Sequence, residues 1–269
     1  MTPGIIRTAA RVLRRRPALL GFPALGLLAV AVVPAVAWLP LLRGVWHRVE
    51  DGGAPSPAQW GAVALVLWTA SALSGLCTAA LLHSVHELLD GRRPPLRASL
   101  AATGRRLPTL LSWGLLSLLL GSVLRTGESL AGLATLFDLL GFSWSLLTFF
   151  VLPVIVVEGA GLPASLRRSL ALGRHVLGRW VVGGLRLFLV TALVALGTLA
   201  ALILAVESDS TSVLFASLAA VAAVLLLVAV VRSAASGIYR MSLYREAVAS
   251  ATLAEAARVA APAAGRSGR

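Results

Sequence analysis

There is no lysine in the 269 residues; all 24 basic side chains are arginine. There is one cysteine, Cys77, so no intramolecular disulfide can form. Charged residues make up 13% of the chain, against roughly 25% in soluble domains. A chain with so little polar surface does not dissolve as a globule. A Ser-His-Asp arrangement, a phosphate-binding glycine loop and a haem motif are also missing, so neither an enzyme nor a cofactor is expected.

What the chain does have is apolar length. Hydrophobic residues make up 58% of it, and the mean hydropathy is +0.89. Its apolar runs reach the roughly 20 residues that a helix needs to cross a bilayer. The expected class is all-α: a polytopic membrane protein with six transmembrane helices, near residues 18–42, 58–82, 108–124, 139–157, 180–206 and 211–232. A signal peptide is the rival reading of the first run, because Ala35-Val36-Ala37 resembles a cleavage site. The run is longer than an ordinary signal core and the chain before it is itself patterned, so it reads as a span. The fourth run begins well before it is needed. Asp138 is therefore expected at the interface, since a carboxylate at mid-bilayer costs roughly 2.5–3.5 kcal/mol on insertion scales. Pro153 interrupts that helix and Glu158 ends it.

The net charge of +13 invites a nucleic-acid partner. The placement of the arginines argues against one, because they sit mostly in short segments between spans. Segments 1–16, 91–107 and 159–180, the chain from Arg232 to its end, and Arg186 at a span end hold 21 arginines; Arg43, Arg48 and Arg125 lie on the other side. The positive-inside rule then puts the protein in the cytoplasmic membrane with both termini in the cytoplasm.

The third of these segments is patterned. Gly159 and Gly161 break the chain, and Pro163 sits where a helix can start. At about 100° per residue, Leu162, Leu166, Leu170, Val176 and Leu177 fall on one side. Arg167, Arg168, Arg174, His175 and Arg179 fall on the other. This is a basic amphipathic helix suited to an anionic membrane surface. Arg97, Arg105, Arg106, Arg167, Arg168, Arg174 and Arg179 are the expected lipid-binding residues.

The basic segments also resemble one another. Leu96-Arg97-Ala98-Ser99-Leu100-Ala101 matches Leu166-Arg167-Arg168-Ser169-Leu170-Ala171, and a looser version runs from Arg7 to Arg16. Each precedes a pair of spans, and the second span of each pair ends near an acid: Glu87, Glu158 or Glu246. The chain thus reads as three parallel helix-hairpin repeats, 5–90, 95–158 and 164–247. They form one membrane domain, 1–249, followed by a flexible cytoplasmic tail, 250–269. The competing reading is that any six-span protein alternates basic loops.

Two clusters stand out as candidate sites. Glu158, near the membrane surface, is expected to pair with Arg167 or Arg168. His83, Glu87 and Asp90 share one helix face, with His86 beside them, and are weak candidates for metal ligation. A helix end emerging among headgroups, where polar residues are ordinary, is the preferred explanation, and no metal is expected.

Trp144, the run Thr148-Phe149-Phe150-Val151-Leu152-Pro153, Glu158, Arg168-Ser169-Leu170 and Gly178-Arg179-Trp180 carry a family resemblance. Ser236-Gly237-Ile238-Tyr239 and Leu243-Tyr244 extend it. The layout resembles an uncharacterised bacterial family of six-span membrane proteins. It is also similar to the membrane domain found with some glycerophosphodiester phosphodiesterases. No phosphodiesterase barrel is present, so the resemblance implies no hydrolysis. The leading expectation is a non-enzymatic membrane protein engaging anionic lipids, or a membrane partner or second copy, through its basic helices. A small-solute transporter or channel subunit is the alternative. Against it, the spans hold almost no ionisable residues at mid-membrane.

Overall fold

A computed structural model of the chain describes residues 16–50, 54, 56–128, 134–173, 189, 191–201, 203, 206–207 and 211–264. Regular structure among the described residues is helical throughout. The chain forms two compact units, residues 21–173 and residues 1–20 with 174–269, where the sequence reads as one domain.

The first unit holds seven helices: α1 (Gly21–Glu50), α2 (Pro57–Leu89), α3 (Leu96–Gly104), α4 (Leu107–Glu128), α5 (Ala134–Thr148), α6 (Val151–Glu158) and α7 (Leu162–Gly173). Its centre is α2, which packs on α1, α3, α4 and α6. A capping box starts α2: the Gln59 N–H donates to Ser56 Oγ and the Ser56 N–H donates to Gln59 Oε1, at 3.4 and 2.8 Å. Pro57, which has no N–H to leave unpaired, takes the first helical turn. With 33 residues, α2 is about 50 Å long, well beyond a hydrocarbon core of about 30 Å. Its last turns are enclosed in protein: Ala79, Ala80, Leu81, Leu82, Ser84 and Val85 are at most 2% exposed. On α1, Gly26 lets the two backbones approach; a Cβ there would stand 3.3 Å from that of Cys77. Trp113 of α4 and Trp144 of α5 stack with ring centroids 6.2 Å apart.

The outer surface is apolar. Leu28 and Val36 on α1, Leu119 and Val123 on α4, and Leu139 and Phe142 on α5 are all at least half exposed. Among the described residues, four helices are long and apolar enough to cross a membrane: Pro17–Ala37, Pro57–Leu89, Leu107–Gly127 and Thr211–Leu253. They suit a membrane location.

Six such helices were expected, and the difference has identifiable causes. The fourth expected span is not one helix. It is divided into α5 and α6 by a turn at Phe149–Phe150. Pro153 accounts for the position of the break. A proline ring collides with the carbonyl four residues back and offers that carbonyl no N–H; here the carbonyl belongs to Phe149. The helix restarts with the Val154 N–H donating to the Phe150 carbonyl at 3.0 Å. The two halves differ in burial. Along α5, Leu136, Leu139, Leu140 and Phe142 are exposed, whereas residues 151–156 of α6 are buried. An all-apolar helix enclosed on every side is the expected fate of Val151-Leu152-Pro153-Val154-Ile155-Val156. Of the fifth expected span, residues 180–206, the first nine residues and four later ones lie outside the described residues, and the described helix within it, Thr191–Ala201, is shorter than a crossing needs.

The second unit contains a 3-10 turn (Pro17–Leu20), a short apolar helix α8 (Thr191–Ala201) and the long helix α9 (Thr211–Ala264). The 3-10 turn packs on α9. With 54 residues, α9 is about 80 Å long. Its first part presents exposed Phe215, Leu226 and Leu227, and after Arg232 it buries Ala234, Ile238, Met241, Tyr244 and Ala247. The helix continues to Ala264, so residues 250–264, expected as flexible tail, are helical.

Candidate functional site

The residues singled out from the sequence meet around the short helices α3, α6 and α7. Gly159 ends α6 in the left-handed region, φ +70°, which glycine enters without a Cβ penalty. The chain reverses through Ala160 and Gly161, and α7 begins with the Ser165 N–H donating to the Gly161 carbonyl at 2.9 Å. Arg168 Nε lies 3.3 Å from Glu158 Oε1 across this corner. The side chains are 42% and 31% exposed, so the pair is half-wet and weak by the standard of buried pairs. The neighbouring Arg167 points its Nε at the Pro163 carbonyl, 3.4 Å away on its own helix.

Arg106, in the turn between α3 and α4, behaves unlike the other arginines expected to meet lipid. Its Nη1 donates to the carbonyls of Ile155 and Val156. Those carbonyls belong to the last turn of α6, which has no intrahelical donors left for them. A guanidinium there also opposes the negative end of the helix dipole. Arg106 is half-buried and directed at protein, while Arg97, Arg105, Arg167 and Arg168 are exposed. Arg174 and Arg179 lie outside the described residues, as does His175.

The two-faced reading of α7 needs a third face. The buried residues are Ser165, Ser169 and Leu172, at 0, 0 and 1% exposure. Leu162 and Leu166 are half-buried and Leu170 is 40% exposed. The helix therefore docks through serines, with leucines at the edge and arginines outward. Ser169 Oγ accepts the Phe150 N–H at 3.2 Å and donates to the Leu147 carbonyl. Both groups lie at the break that Pro153 imposes, so one hydroxyl closes the gap in the backbone ladder. Helix α3 repeats the arrangement: Ser99 and Thr103 are its buried residues, and Ser84 Oγ of α2 stands 2.7 Å from Ser99 Oγ.

The end of α2 carries His83, Glu87 and Asp90. Arg92 engages both acids, with Nε 2.7 Å from Glu87 Oε2 and Nη2 3.3 Å from Asp90 Oδ2. His86 Nε2 is 3.5 Å from Asp90 Oδ2. This is an arginine-closed helix terminus, and among the described residues no group of three or more His, Cys, Asp or Glu is placed to hold a metal. Sequence reasoning singled out neither Arg92 as the partner of these acids nor the serine face.

Most of α2, all of α3 to α8 and most of α9 fall within residues 63–253, which match the profile of a family of unknown function, DUF6159. The chain belongs to that family. The DUF6159 match takes in the broken helix, both serine-docked helices and the Arg106 contact, leaving out α1, the start of α2 and the end of α9. No curated protein and no solved structure matches the chain. None of these comparisons links the DUF6159 chain to the membrane domain of glycerophosphodiester phosphodiesterases.

Proposed function

We propose that this chain is a non-enzymatic integral protein of the cytoplasmic membrane that holds anionic lipid headgroups on its basic helices α3 and α7. The observation that carries the reading is the division of each helix into a docked serine face and an outward arginine face. Outward Arg97, Arg105, Arg167 and Arg168 need not supply membrane affinity, since spans on either side already tether the helices. Their charge is available to select headgroups, at about 1 kcal/mol per arginine near an anionic surface, screened by salt. In this reading α5 and α6 make one interrupted pass and residues 180–206 another. That gives six passes with both termini cytoplasmic, arranged as three parallel hairpin repeats. The likeness to the phosphodiesterase-associated membrane domain belongs to the same proposal, as does association with a membrane partner or a second copy.

Native mass spectrometry of the detergent-purified protein tests it. Arg97→Ala with Arg167→Ala should reduce co-purifying anionic lipid while zwitterionic lipid is unchanged. Unchanged anionic lipid would refute the reading, and the same spectra report subunit number.

One observation favours a second reading, a small-solute transporter or channel subunit. A discontinuous helix, such as the α5–α6 pair, is a common way to expose backbone groups to a solute within a membrane. Solute-dependent flux into proteoliposomes, abolished by substitutions at the break, would establish it in place of the first.

A further inference from the structure

We infer that Ser99 and Ser169 are equivalent positioning residues, each a buried hydroxyl that fixes the rotational setting of a basic helix against the chain just before it. The two windows, Leu96-Arg97-Ala98-Ser99-Leu100-Ala101 and Leu166-Arg167-Arg168-Ser169-Leu170-Ala171, differ at one position. Both serines are 0% exposed. Both are hydrogen-bonded to the element that precedes them, Ser99 to α2 and Ser169 to the α5–α6 break.

The partners differ for a physical reason. An unbroken helix has no free backbone groups along its middle, so α2 must offer a side chain, Ser84, itself 2% exposed. The break at Phe149 frees a backbone donor and acceptor, and Ser169 takes both. The same serine thus meets whichever polar group the preceding helix can present.

The helical period connects this to the arginines. Two residues correspond to about 200° of rotation, so a serine held inward places the residue two before it on the opposite side. That residue is Arg97 in α3 and Arg167 in α7, and both are exposed. An alanine in place of either serine would keep the volume but lose the key, leaving the helix free to rotate or lift. The inference rests on the lipid reading only in what the outward arginines are for; the positioning itself does not.

The test uses the full-length protein in detergent and in nanodiscs of mixed anionic and zwitterionic lipid. Hydrogen–deuterium exchange is followed in α3, in α7 and across the α5–α6 break. Ser169→Ala should accelerate exchange at the break and in α7 by roughly tenfold or more, as expected for loss of a buried hydrogen bond. Ser169→Thr, which keeps the hydroxyl, should restore most of the protection. Ser99→Ala should act on α3 alone. Ser84→Ala should reproduce Ser99→Ala, and the double variant should be no worse than either single one. The Ser→Ala variants should also lower anionic lipid retention as far as the corresponding Arg97→Ala or Arg167→Ala. Unchanged exchange in both Ser→Ala variants, or equal acceleration by Ser169→Thr and Ser169→Ala, would overturn the assignment. So would additive effects of Ser84→Ala and Ser99→Ala. If exchange responds as expected but the arginine variants keep their lipid, the positioning stands and the lipid reading falls.

Discussion

Removing the Arg106 side chain should be the most damaging single change at the corner where α6 ends. Two carbonyls in the last turn of α6, those of Ile155 and Val156, take their hydrogen bonds from it. Hydrogen bonds to a charged group contribute roughly 1.5–3 kcal/mol each. The guanidinium is half-buried, so water replaces part of what is lost, and Arg106→Ala should cost about 2–4 kcal/mol in total. At roughly 2–4 °C per kcal/mol for a unit of this size, the melting temperature should fall by several degrees or more. Arg106→Lys should recover only part of the loss, because a compact ammonium does not present the guanidinium's rigid array of donors. Arg105→Ala removes the same charge from the adjacent, exposed position and should be nearly silent, within about 0.5 kcal/mol. Tryptophan fluorescence during thermal unfolding in one detergent reads all three variants. If Arg106→Ala and Arg105→Ala melt together, the carbonyl cap is not what Arg106 contributes and only its charge matters.

Three further outcomes are expected. Glu158→Ala and Arg168→Ala should each destabilise by no more than about 1 kcal/mol, as for a solvent-accessible pair; the double variant should lose no more, the effect should shrink in high salt, and a loss several times larger would refute the half-wet geometry. Pro153→Ala should permit a continuous helix through Phe149, so that Ser169→Ala becomes nearly neutral in that background; an undiminished thermal-stability penalty would show that the proline does not set the break. For topology, a cysteine replacing exposed Arg97 should be shielded from an impermeant thiol reagent in intact cells, whereas one at Ser208 should react; the reverse pattern would invert the orientation.

The parts of this molecule written in short-range pattern are readable from the sequence. Apolar length marked α1, α2, α4 and the first half of α9, and glycines marked the corner after Glu158. The Leu and Arg spacing marked α7, and its arginines are outward. Pro153 announced an interruption, but the break falls four residues earlier because a proline excludes the carbonyl behind it. Longer-range contacts were not readable. The Arg106 contact joins residues 49 and 50 positions apart, and an arginine beside another in a basic loop carries no sign of which one turns inward. The serine face was missed because a hydroxyl at the headgroup level is chemically neutral evidence, equally at home in water. The matched Ser99 and Ser169 windows read as a repeat, but nothing in a six-residue match says that the shared serine is the docking residue.

The stitch at Phe149–Phe150 also has a history in time. The chain is made from its N-terminus, and Ser169 follows Leu147 by 22 residues. At about 5–20 residues per second, the break waits roughly 1–4 s before the hydroxyl that closes it has been synthesised. During that interval the Leu147 carbonyl and the Phe150 N–H must be satisfied by water or by another partner, since the apolar side chains around them offer nothing. Arg106, by contrast, precedes α6 and is ready when its last turn emerges. The end of α6 can therefore be capped as it is made, while its beginning stays open until α7 arrives. The backbone of this segment is completed only by a helix that the ribosome has yet to make when the break itself emerges.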